Sequence, residues 1–403
     1  TEAAELYETQ LNDTARAGEA YAKILLEDPG HARAADGMVR IAELTGDYET
    51  LVAILEQIAE SRSGREKTDA WLKIAEVYED QLGDLAEAER RYQAVLEASP
   101  EHLTALKGLD RIYNRASRYR ELLVNLERQA VLADTPRQKI NLQERMAALH
   151  DEEFLDHARA AACLEEVLAL DPTHDVALTK LARHYRAQAK WDKLEELYET
   201  HARTTTDPAR KIELLMQRAR VLAEHVGSPT KATEAYEAVL ELQPGYTMAL
   251  EAVARLREQA GDARAALGAI EELAEAAATP AARSELWVRA AVLLEGRGDL
   301  DGAIERYERA AHEDPVNSTT ATALRLAYAA RGDAASVVKI LERELSLADG
   351  DMAKARLHGE LARVLRDKLF AGGDAEKHAK SAIAIDPANA DALQILGDLA
   401  FEE

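Results

Sequence analysis

Apolar residues along this chain recur at intervals of three and four, with polar residues on the opposite side of the helix that such spacing describes. Six prolines give the pattern its ruler. Pro29, Pro100, Pro172, Pro244, Pro315 and Pro387 are separated by 71, 72, 72, 71 and 72 residues. A period that regular is internal repetition, and repetition constrains the fold before any single residue does. Twelve residues before each proline stands an alanine: Ala17, Ala88, Ala160, Ala232, Ala303 and Ala375. Eight before stand Tyr21, Tyr92, Leu164, Tyr236, Tyr307 and Ala379; five before stand Ile24, Val95, Val167, Val239, Ala310 and Ala382. These offsets share one helix face. The proline ends the helix, because it lacks an N–H and disfavours helix in the residue before it.

The stripe resumes beyond each proline. Six residues after it stand Ala35, Leu106, Leu178, Leu250, Ala321 and Leu393, and nine after it Met38, Leu109, Leu181, Val253, Leu324 and Leu396. Tyr113, Tyr185 and Tyr328 follow at thirteen. Gly46-Asp47, Gly83-Asp84, Gly261-Asp262, Gly298-Asp299, Gly332-Asp333 and Gly373-Asp374 sit between helical stretches, with Gly227-Ser228 as a variant. Glycine accepts the left-handed conformation that closes one helix, and aspartate caps the next. Each period therefore holds four helices, arranged as two hairpins. In one hairpin Ala75, Ala147, Ala219, Ala291 and Ala362 oppose Ala88, Ala160, Ala232, Ala303 and Ala375. Ala against Ala brings helix axes toward the low end of ~8–10 Å. The other hairpin carries Leu51, Leu122, Leu194, Ala266 and Val337 at that place, so tight and looser hairpins are expected to alternate.

Trp71, Leu72, Ile74, Ala75 and Tyr78, followed by Ala88, Tyr92 and Pro100, resemble the tetratricopeptide repeat, with one extra residue in the turn. Trp287, Ala290, Ala291, Leu294, Gly298, Ala303, Tyr307 and Pro315 fit that pattern without insertion, and Leu393, Leu396 and Gly397 open a further repeat. The resemblance covers essentially the whole chain. It implies an all-α, right-handed superhelical solenoid of antiparallel hairpins, continuous over residues 1–403, with about eleven hairpins and one extra helix. The first hairpin of each period departs from the family in lacking a closing proline. Residues 3–11 match 74–82, Tyr7 corresponding to Tyr78, and the pattern ends on the first helix Leu393–Ala400. The chain is therefore expected to be an excerpt of a longer array.

Composition narrows the function. The 403 residues are 47% hydrophobic, 31% charged and 5% aromatic, which suits a helical core and excludes a disordered chain. Seventy-four acidic against 50 basic residues give a net charge of −24, which disfavours nucleic acid and anionic lipid. No apolar run is long enough to span a membrane. A single cysteine, Cys163, rules out an intrachain disulfide and a thiolate metal cluster, and favours the cytoplasm over the periplasm. Cys163 itself is expected to be a passive, buried or half-buried thiol.

Candidate chemistry is sparse. His31, His102 and His174 each lie two after a proline, but a whole period apart, so they are expected to cap helices and not to share a metal. His150 and His157, with Asp151, Glu152, Glu153 and Asp156 between them, read as a solvated turn. Tyr48, Tyr119 and Trp191 are expected to plug hairpin bases. No nucleophile, phosphate loop, cofactor motif or metal motif stands out, so no enzyme is expected within the chain.

One basic series does stand out: Arg40, Arg111, Arg183 and Arg255, each eleven after a proline, with Leu326 as the fifth equivalent. At 100° per residue these point roughly 140–150° away from the apolar stripe. The resemblance implies that this face lines a concave groove. There Arg40, Lys107, Arg111, Arg115, Arg183, Arg186 and Arg255 would receive an extended, acidic segment of a partner protein. The plainer reading is that each arginine pairs with a nearby glutamate. Lys107 matches one position of the family's carboxylate-clamp subclass, but Arg111 stands where that subclass has Asn. The expected function is a protein-binding scaffold or adaptor. A self-assembling building block, or a non-catalytic repeat region of a larger protein, is the alternative.

Overall fold

The computed structural model describes residues 1–402; Glu403, within the expected solenoid over 1–403, lies outside them. Among the described residues there are 23 α-helices and no strand. They form two compact units, Thr1–Lys190 and Trp191–Glu403. In each unit consecutive helices pack antiparallel, and a core of alanine, leucine, isoleucine and tyrosine runs from pair to pair. The alanines of the Ala–Ala hairpins are buried. Ala75, Ala88, Ala160, Ala219, Ala232, Ala291, Ala303, Ala362 and Ala375 have no exposed surface, and Ala147 almost none.

Turn chemistry follows a stricter rule than the glycines suggest. The residue 17 before each period-marking proline has positive φ: Asn12, Gly83, Leu155, Gly227, Gly298 and Phe370. So does the residue 17 after: Gly46, Ser117, Ala189, Gly261 and Gly332. The backbone demands the left-handed conformation at every one of these places, and five of the eleven meet it without glycine. Gly373-Asp374 is accordingly not a turn. The break falls at Phe370, and Gly372 opens the helix Gly372–Ile385 that contains Asp374. The remaining aspartates behave as expected; Asp47, for instance, accepts the Thr50 N–H at 3.1 Å. Ser228 makes no side-chain cap, its helix starting instead with Pro229 at the first position.

The histidines after the prolines are caps. Nδ1 of His31, His102 and His174 accepts the N–H of Ala34, Ala105 and Ala177 at 3.2, 3.4 and 3.2 Å. Asn317 and Asn389 do the same work, and Tyr246 makes no side-chain cap. The hairpins without a closing proline end on extended residues, Arg62, Ala133, Ala277 and Ala348. A proline then starts the following helix in three places, Pro136, Pro208 and Pro280. Tyr48 and Tyr119 pack against hairpin cores, whereas Trp191 stacks on His225 with ring centroids 3.7 Å apart. Cys163 is free and half-buried, its thiol pushed up to about 11 by burial and by Glu127 and Glu166.

The extra residue near Tyr78 is absorbed inside the helix and not in the turn. Arg65–Val77 continues as one π-helical turn, Tyr78–Leu82, before Gly83. The same happens at Leu222–Val226 before Gly227. A π turn rotates the residues it contains relative to the helix face before it. Glu79 lies on this turn and is buried, with 4% of its surface exposed.

Ala189 has a β-carbon at φ +52°, and its side chain is exposed. The Ala189→Gly variant is therefore expected to raise stability by about 1 kcal/mol, read as a higher urea midpoint at unchanged slope.

Candidate functional site

Each arginine of the series is anchored by an acid 32 residues earlier wherever its repeat provides one. Arg40 Nε donates to Glu8 Oε1 at 2.7 Å and its Nη2 to Glu8 Oε2 at 2.9 Å. Arg111 binds Glu79 in the same bidentate way, at 2.7 and 2.6 Å. Arg183 Nη2 donates to Asp151 Oδ2 at 2.7 Å. Arg255 has Ala223 at the acid's position, and it is exposed with no ion pair found among the described residues. The pairing with a nearby acid that the plainer sequence reading allowed therefore holds for three of the four. Reading 21 residues before each proline finds those acids, Glu8, Glu79 and Asp151, in the sequence.

A tyrosine completes the clasp in the first two repeats. Tyr21 Oη donates to Glu8 Oε2 at 2.7 Å, and Tyr92 Oη to Glu79 Oε2 at 2.8 Å. Both rings are fully buried and lie across a glycine of the next helix. A β-carbon on Gly37 would come within 2.4 Å of the Tyr21 ring, and one on Gly108 within 2.3 Å of the Tyr92 ring. Tyrosine at −8 and glycine at +8 go together in these two repeats; Leu164 with Lys180 replaces both in the third, and the fourth and fifth keep the tyrosine, Tyr236 and Tyr307, with Ala252 and Ala323 at +8. Burial and the hydrogen bond to Glu8 push the Tyr21 hydroxyl up to about 12. Burial pushes the Glu79 carboxyl up, but the bonds from Arg111 and Tyr92 outweigh it and hold the group below the usual glutamate range.

The clasps leave about half or more of each arginine side chain outside. The Arg111 side chain is 47% exposed while the Glu79 carboxylate it grips has no exposed surface. Arg115 Nη1 lies 3.9 Å from the same carboxylate, and Lys107 is exposed one turn before Arg111. Lys107, Arg111 and Arg115 therefore form a line at four-residue spacing along the helix Leu103–Arg115. Glu79 and the exposed Asp80 offset part of its charge. Arg186 is exposed on the helix Asp175–Ala187, and Arg255 belongs to the second unit. A further brace lies beside the line: Arg145 donates to both oxygens of buried Asp110 at 2.7 and 2.6 Å, and Gln129 donates to Asp110 Oδ2 at 3.2 Å.

The acid, turn and histidine segment at 150–157 divides differently from its sequence appearance. His150 is buried and tilted against Phe154, 5.9 Å between ring centroids. Asp151 instead meets His157 and also His184, which comes from the next hairpin's helix. His184 was not apparent as a site residue. Its signal was present all the same: twelve after the proline, every other repeat has an apolar residue, namely Ile41, Ile112, Leu256, Ala327 and Leu399.

Residues 69–102 and 177–212 each match a family model described as "Tetratricopeptide repeat". No curated protein matches the chain. Among solved structures, YrrB, "a TPR protein with an unusual peptide-binding site", is 18% identical, with a TM-score of 0.30, over 45% of this chain and 90% of that one. Naa15/Naa10 bound to HypK-THB is 16% identical, with a TM-score of 0.36, over 96% of this chain and 64% of that one. The C-terminal part of a TPR repeat-containing protein from Cytophaga hutchinsonii is 17% identical, with a TM-score of 0.33, over 62% and 97%.

Removing Arg111 leaves a buried carboxylate without its main partner. Arg111→Ala is expected to cost about 2–3 kcal/mol, against less than about 0.5 kcal/mol for Arg255→Ala, both measured by urea unfolding. Because Glu79 titrates lower in the folded than in the unfolded chain, its contribution is present above the ordinary glutamate range. It is lost as pH falls through the lowered value, so the Arg111→Ala deficit is expected to shrink in acid.

Proposed function

We propose that this chain, a tetratricopeptide helical-repeat protein, is a non-catalytic scaffold that holds an extended acidic segment of a partner protein along its exposed arginine-bearing helices. Its repeats are those of a protein-interaction scaffold. The observation that carries the finer reading is the line Lys107, Arg111, Arg115. Residues four apart on a helix are separated by about 6 Å along the axis, and alternate residues of an extended strand by about 6.6–6.8 Å. A partner segment with acidic residues at alternate positions therefore matches the line nearly rung for rung, over three rungs. Arg111 is held in place by Glu79, so its exposed nitrogens lose little freedom on binding, and charge-assisted bonds to carboxylates are the stronger kind. The chain's net charge of −24 discourages acidic segments from docking elsewhere, which adds specificity by repulsion. Arg40, Arg183, Arg186 and Arg255 present the same chemistry at other points.

The test uses a synthetic ten-residue peptide with glutamate at alternate positions, titrated by fluorescence anisotropy at two salt concentrations. A Lys107→Gln, Arg115→Gln variant removes two charges from the line, keeps Arg111 on Glu79 and adds no acid beside that carboxylate. It is expected to bind at least about tenfold more weakly, with a shallower salt dependence. Equal binding by the variant and the native chain at both salt concentrations would overturn the reading.

A further inference from the structure

The third repeat rebuilds the clasp with different atoms. Glutamate at −21 becomes the shorter Asp151, the tyrosine at −8 becomes Leu164, and the apolar residue at +12 becomes His184. His157, the first residue of the helix His157–Leu170, turns back toward the same carboxylate across the left-handed Leu155. His157 Nδ1 lies 2.8 Å from Asp151 Oδ1, and His184 Nε2 lies 3.7 Å from that same oxygen. All three donor atoms fall within 4.8 Å of one another. Arg183 occupies only the other oxygen, Oδ2, at 2.7 Å. His184 is 4% exposed, while His157 is open to solvent.

We propose that Asp151, His157 and His184 form a binding site for a first-row divalent transition-metal ion, with zinc as the best match. Two imidazoles and one carboxylate are ordinary zinc donors, and they leave a position for water. Donors about 2.0–2.1 Å from a tetrahedral ion stand roughly 3.4 Å apart. The distances of 2.8 and 3.7 Å straddle that value, and only the exposed His157 ring has to swing to adjust the third. Packing fixes His184, and Arg183 holds the free carboxylate oxygen, as outer partners of metal ligands do. The three donors Asp151, His157 and His184 reach one point from three helices: Pro136–Glu152, His157–Leu170 and Asp175–Ala187. A bound ion there staples a hairpin to the helix that follows it, in the place where the first two repeats use a tyrosine hydroxyl. The competing account is that the imidazoles merely replace that hydroxyl as hydrogen-bond partners of the acid.

The experiment is a calorimetric titration of Zn²⁺ into the full chain after chelator treatment, with Co²⁺ absorption as a second probe. One saturable equivalent of Zn²⁺ is expected, with a rise in melting temperature as the ion loads. His157→Ala and His184→Leu are each expected to weaken binding by about tenfold or more and to abolish the visible Co²⁺ band. His378→Ala, in the separate His358–His378 pair whose Nδ1 atoms are 2.9 Å apart, is expected to leave both unchanged. His184→Leu restores the residue type of the other repeats; should it unfold by circular dichroism, the exposed His157 variant decides alone. No saturable Zn²⁺ binding, or binding that survives His157→Ala, would overturn the proposal.

Discussion

A helix hairpin can cover only part of its own apolar surface, so each pair here depends on the next for the remainder. That dependence fixes the geometry. The helices must end and restart at set places, so that the alanine-lined pairs stack in register on the bulkier ones. The left-handed residue 17 positions either side of each proline is the visible cost of that register, because Leu155, Ser117, Ala189 and Phe370 take the conformation without glycine's freedom. Their strain persists because the packing on both sides over-determines it.

Against this apolar background the polar clasps act as locating pins. Glu79 lies in the interior on a π turn, and there it needs the tyrosine hydroxyl and the arginine to satisfy its oxygens. Gly108 lets the Tyr92 ring lie flat against the next helix, so one small residue links the core to the polar network. The same network sets what the outer face offers a partner. An arginine that must hold a buried acid cannot move far, and its outward nitrogens become fixed donors. The brace and the binding surface are two sides of one side chain. Charge on this face is thereby moderated but not removed, since Lys107 and Arg115 flank the pinned arginine.

The fold was legible because it is periodic: prolines, alanines and apolar stripes recur where the helices and hairpins lie. What escaped was local. Leu155 and Phe370 carry no turn signal in their side chains, so only their place in the period marks them. Gly373-Asp374 carried the signal without the turn, because the register had already placed the break at Phe370. The extra residue near Tyr78 read as a longer turn, since a π turn leaves no mark on composition. On the candidate surface, the arginines were visible but their acids were not, lying 32 residues away on a helix two before. His184 was hidden because a histidine on an apolar stripe resembles an ordinary core residue until Asp151 is seen beside it.

Three of the four arginines in the series, Arg40, Arg111 and Arg183, are braces between successive hairpins before they are anything else. The most direct measurement is a double-mutant cycle on the closest pair, using Glu79→Gln and Arg111→Met, with unfolding free energies from urea titration at neutral pH. A coupling energy of about 2 kcal/mol or more is predicted, because the carboxylate is fully enclosed and held by two parallel bonds. A coupling below about 0.5 kcal/mol, the range of ordinary exposed ion pairs, would contradict it.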